Sequence, residues 1–187
     1  MESIKSVNIR SIDFRRQLLM SSDMVAVFES FLKENIGNEV LVINTNIGME
    51  VYYFSNNDYS IFIRESILLY TLTQIDRKTL KFKNNQNKEE VCQSFCQALV
   101  TFSQYPQIFL AYTKKFIHLK DKNKSSKFVI PILDSFFEKV LKELLKTGKI
   151  PHYEKIKKAK SKSQKPNPYK NIIENLISEI LLKKHSN

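Results

Sequence analysis

Few residues in this chain have the types and spacing that chemistry requires. The histidines His118, His152 and His185 lie far apart, and none belongs to a pair at the helical spacing of zinc ligands. Gly37, Gly48 and Gly148 are the only glycines, so no Gly-rich loop can cradle a phosphate, and there is no Gly-x-Ser-x-Gly elbow. Cys92 would serve as a thiol nucleophile only beside a base, and nothing near it in the sequence favours its thiolate. Cys92 and Cys96, four apart in an expected helix, therefore read as two small core cysteines and not as an oxidised scaffold. No cofactor and no enzymatic activity is expected.

What remains is charge. The segment "YEKIKKAKSKSQKPNPYK" carries Lys155, Lys157, Lys158, Lys160, Lys162, Lys165 and Lys170 with no acid after Glu154. Lysines at that density displace counterions from a phosphate backbone and give salt-sensitive, sequence-indifferent binding. The charge is also unevenly spread. Met1 to Thr113 holds 11 Lys/Arg against 12 Asp/Glu, and Lys114 to Asn187 holds 19 against 7. A polyanion would meet the second half first.

The elements that must position these residues are mainly helical. Phe14, Leu18, Val25, Phe28 and Leu32 predict a helix from about Asp13 to Lys33. Ile61, Leu68, Leu72 and Ile75 predict another over 60–76, followed by a polar connector, "DRKTLKFKNNQNKEE". Asn87 caps the next, with Glu89 and Glu90 at the positive end of its dipole. Pro106 suits the first turn of a helix using Phe109, Tyr112 and Phe116. The widest apolar stripe, Leu133 to Leu145, predicts a helix over 131–147 that Gly148 stops. Residues 149–167 show no apolar period and read as a solvated loop, and a last helix is expected over 168–184. No apolar run is long enough to span a bilayer, and "MESIKSVNIR" lacks a signal peptide's apolar region, so a cytoplasmic protein without membrane contact is expected.

The stretch "VLVINTNIGMEVYYFSNNDYSIFIRE" admits two readings. Taken from Ile36, it resembles the helix-turn-helix of TetR/AcrR-type transcriptional regulators, with "NTN" as the turn, Gly48 as the recognition-helix glycine and Tyr53-Phe54 as the closing aromatic pair. The resemblance implies an all-α fold, a helix-turn-helix head over 1–60 and a helical ligand-binding and dimerisation domain over 61–187. It implies a ligand-responsive, homodimeric DNA-binding regulator, with half-sites about 34 to 36 Å apart. Thr45, Asn46, Gly48, Tyr52, Tyr53, Arg15 and Arg16 would meet DNA. Phe95, Phe102, Phe109, Tyr112 and Phe116 would line a pocket for a small apolar effector, and 131–147 with 168–184 would form the dimer seam. The chain departs from that pattern in having no Lys or Arg from Ile36 to Ile63.

The other reading takes "EVLVIN", "MEVYYFS" and "YSIFIRE" as a three-stranded meander at about 39–65 in an α+β fold. It makes the protein a non-catalytic binding or assembly protein that contacts RNA or an acidic partner through the basic segment 155–170.

Overall fold

The computed structural model describes residues 2–11, 18–71, 80–148 and 150–163. The chain runs β1 (Ser3–Ser11), α1 (Ser22–Ile36), β2 (Val40–Thr45), β3 (Gly48–Ser55), α2 (Ser60–Tyr70), β4 (Leu80–Asn85), α3 (Lys88–Ser103), α4 (Pro106–Lys122), α5 (Val129–Lys146) and α6 (Tyr153–Ser163). The strands form one antiparallel sheet in the order β2-β3-β1-β4. That order, on a β-α-β-β-α-β chain path, is the ferredoxin-like arrangement. The protein is α+β, which overturns the all-α expectation.

Residues 48–55 show why the helical reading fails. Met49, Val51 and Tyr53 enter the core shared with α1 and α2, while Tyr52 enters the core beneath α3, α4 and α5. A strand with helices on both faces needs apolar side chains at successive positions, so it loses the alternation that marks a half-exposed strand. Val51 pairs with Val7 on one side and with Val42 on the other. The supposed recognition helix is thus a central strand hydrogen-bonded to both neighbours. With no helix at 45–54 to enter a groove, the regulator reading loses its structural premise.

The meander reading is half met. "EVLVIN" and "MEVYYFS" form a hairpin whose last pair is Thr45 with Gly48, joined by Asn46 and Ile47. The expected third strand, "YSIFIRE", is instead the start of α2, and β3 pairs next with β1. Gly48 is required where it stands: its φ is +143°, and a Cβ there would lie 2.5 Å from the Ile9 carbonyl oxygen.

Other boundaries shift for local reasons. Of the helix expected over 13–33, residues 13–17 lie outside the described residues, and α1 begins at Ser22, where the Ser21 hydroxyl accepts the Met24 amide at 3.3 Å and caps it. The polar connector contains β4, whose Leu80 and Phe82 face the α1–α2 core while Lys81 and Lys83 are exposed. Because β4 pairs with β1, the sheet runs across the domain boundary expected at residue 60. Asn87 caps α3 through the Glu90 amide at 2.9 Å, and Pro106 opens α4, as read from the sequence. The expected loop at 149–167 contains α6. The helix expected over 168–184, and with it half of the dimer seam, lies outside the described residues.

Candidate polyanion-binding surface

The basic segment is ordered by a small apolar foothold. At helical spacing, Ile156, Ala159 and Lys160 share one side of α6. Ile156 is 2% exposed, Ala159 packs on the same core, and the Lys160 ammonium lies 2.5 Å from Glu138 and over the Phe137 ring of α5. The helix starts tightly, with the Lys155 and Ile156 amides both bonded to the His152 carbonyl at 2.9 and 3.2 Å.

Docking by that side leaves Lys155, Lys157, Lys158 and Lys162 exposed, and none of these has an ion-pair partner among the described residues. Lys155, Lys158 and Lys162 follow one another at intervals of three and four, so they stand on one face. On α4, against which α6 packs, Lys114, His118 and Lys122 form a second exposed row at intervals of four. Mutual repulsion among lysines so placed is relieved when phosphates neutralise them. Tyr153, at the start of α6, is 41% exposed.

The groove between α4, α5 and α6, of about 520 Å³, is a different environment. Its lysines are matched by acids: Lys120 to Asp134 at 2.6 Å, Lys124 to Asp121 at 2.5 Å, Lys160 to Glu138 at 2.5 Å. It is therefore close to neutral, and the unpaired positive charge stands on the outer faces of the helices.

The residues expected to meet DNA do not converge. Thr45 and Asn46 belong to the hairpin turn, where the Thr45 hydroxyl donates to the Gly48 carbonyl and accepts the Ile47 amide. Tyr52 and Tyr53 are each 1% exposed and face opposite cores. Arg15 and Arg16, like Lys165, lie outside the described residues. The five aromatics expected to line an effector pocket do come together, but as filled core. Phe102 and Tyr112 have ring centroids 5.1 Å apart, and Phe95 and Phe116 5.7 Å, with Phe109 fully buried beside them.

Two polar clusters escaped the sequence reading, and a third, already read there as a pair of core cysteines, gains its geometry here. Glu50 is buried on β3, where it accepts the Tyr112 hydroxyl at 2.6 Å and the Tyr52 hydroxyl at 3.1 Å. Burial pushes its carboxyl above the usual value, against the opposing pull of Tyr112, Arg10 and Tyr52. The signal in the sequence was a lone carboxylate inside an apolar run. The void beside it, near Gly48 and Phe102, measures about 10 Å³, which is room for about one water and for no substrate. The cluster is therefore a polar tie between β3 and α4.

Glu39 is the second. Its carboxylate accepts the Lys127, Phe128 and Val129 amides at 2.7, 3.1 and 3.0 Å and the Ser126 hydroxyl at 2.7 Å. Partial burial pushes its carboxyl up, but those four hydrogen bonds outweigh burial and hold it below the usual value. The third is the cysteine pair, whose sulfurs are 3.9 Å apart. Burial, followed by the neighbouring Cys92, pushes the Cys96 thiol up to about 11, which removes it as a ready nucleophile.

No protein-family model and no curated protein matches the chain.

Proposed function

We propose that the protein is a non-catalytic binding protein that holds nucleic-acid phosphate on the lysine face of α6. One observation carries this reading: α6 docks through Ile156 and presents Lys155, Lys157, Lys158 and Lys162 unpaired to solvent. A solvated loop would pay the ordering entropy of those side chains on binding, whereas a docked helix already holds them in register.

The sheet supports the same choice of surface. Proteins that bind RNA on a four-stranded sheet of this topology stack bases on its open face. Here that face is covered by α3, α4 and α5: of the β3 aromatics on it, Tyr52 is 1% exposed and Phe54 is stacked on Phe128 with ring centroids 4.5 Å apart. Recognition must use the outer surface of the helices, where charge predominates and exposed aromatics are few. Binding is accordingly to the phosphate backbone, with little dependence on sequence.

The test is fluorescence anisotropy with labelled oligonucleotides of unrelated sequence, comparing the wild type with K155Q/K157Q/K158Q/K162Q. The reading expects similar affinities across sequences and their loss in the variant. Unchanged binding by the variant, or binding confined to an acidic polypeptide, would overturn it.

A further inference from the structure

Cys92 and Cys96 lie one turn apart on α3, both free and half-buried, with sulfurs 3.9 Å from each other. That separation does not suit a disulfide. The bond requires about 2.05 Å between sulfurs and about 3.8 Å between Cβ atoms, whereas Cβ atoms at this helical spacing stand about 5–6 Å apart. Closing the bond would distort the first turns of α3, which carry Val91 and Phe95 into the core. A bridging ion has no such difficulty. Two metal–sulfur bonds of about 2.3 Å span about 4.6 Å when linear, so the sulfurs, 3.9 Å apart, need only part by about 0.7 Å to seat an ion in line, against an approach of about 1.9 Å for a disulfide.

The surroundings restrict which ion. Zinc in a structural site takes four ligands, and no group of three or more His, Cys, Asp or Glu side chains suited to a metal occurs among the described residues. Two sulfurs alone suit a soft ion content with low coordination. Such a complex with a monovalent ion carries one negative charge, and Lys139 of α5 exerts its positive field on Cys96.

We propose that Cys92 and Cys96 form a two-thiolate site for a soft, low-coordinate metal ion of the Cu(I) class, with Lys139 offsetting its charge. On binding, two S–H bonds break, two S–Cu bonds form, and both protons pass to solvent. No oxidation state changes. The ion staples two successive turns of α3 on the side that packs toward α5.

The full-length protein is titrated anaerobically into the coloured Cu(I)–bicinchoninate complex, and loss of colour reports the metal withdrawn. One equivalent per chain is expected. C92S and C96S should each weaken binding by about 100-fold or more, since each removes the intramolecular second contact. C92A and C96A, checked by circular dichroism, give the same comparison should a serine perturb packing. Failure of the wild type to withdraw copper, or retention of full affinity by a folded single variant, would overturn the proposal.

Discussion

Replacing Glu39 isolates one carboxylate that joins the sheet to the helical layer. It precedes β2 and accepts three amides at the start of α5, donors that have no partner inside the helix. It also orients Ser126, whose oxygen accepts the Ile130 amide at 3.1 Å. Hydrogen bonds to a charged group contribute about 1.5–3 kcal/mol when buried. Glu39 is only partly buried, so water replaces some of what is lost, and the helix dipole adds about 0.3–1 kcal/mol. Glu39→Ala should therefore cost about 2–3 kcal/mol at neutral pH, and Glu39→Gln about 1–2 kcal/mol, as estimated from the same bonds with a neutral acceptor. In a chain this long, 2 kcal/mol lowers Tm by about 4–8 °C.

The pH dependence sharpens the prediction. Because the folded carboxyl titrates below its ordinary value of 4.5, its contribution is fully present above 4.5 and is lost as pH falls through the folded value. Urea denaturation of wild type and variant should show the full gap at pH 7 and converging midpoints in acid. Equal midpoints at pH 7, or a gap undiminished in acid, would refute the reasoning.

Glu50 should show the opposite sign. Its folded carboxyl titrates above 4.5, so its contribution to stability declines as pH rises from 4.5 through the folded value. Glu50→Gln should gain on the wild type across that range in urea melts, while Tyr112→Phe, which strips a donor from the buried carboxyl, should lose about 1–3 kcal/mol. Gly48→Ala should destabilise by about 2 kcal/mol or more in thermal melts, because a Cβ would meet the Ile9 carbonyl oxygen at 2.5 Å in a backbone that L-residues avoid.

Legibility in the sequence followed the physics of each element. The three central helices were readable because each has a one-sided apolar stripe, with a local start signal at Asn87 for α3 and Pro106 for α4, and with a long Leu133–Leu145 stripe and the Gly148 stop for α5. The strands were less so: β2 and β3 were read only in the meander alternative, and β1 and β4 not at all. β3 has apolar side chains on both faces and mimics a buried helix turn. β1 carries buried Ser6 and Asn8 among its apolar residues, where Asn8 donates to Ser94 of α3 at 3.0 Å and Asn85 of β4 donates to Ser6 at 2.8 Å, so its apolar pattern is interrupted. β4 alternates lysine with apolar residues at a sheet edge and reads as a connector. The pairing of β1 with β3 and β4 spans most of the first 85 residues, and such non-local contacts leave no local mark. The basic segment was legible as charge, but its helicity was not, since a single Ile156 with Ala159 supplies too little period to detect.

The central claim is that the α6 lysines carry polyanion binding, and the salt dependence of that binding tests it most directly. Each phosphate contact on a single strand contributes about 0.7 to the slope of log K against log salt. If Lys155, Lys157, Lys158 and Lys162 each make one, K155Q/K157Q/K158Q/K162Q should lower the slope by about 3 and weaken binding equally for unrelated oligonucleotides. A variant that binds with the wild-type slope would contradict the account.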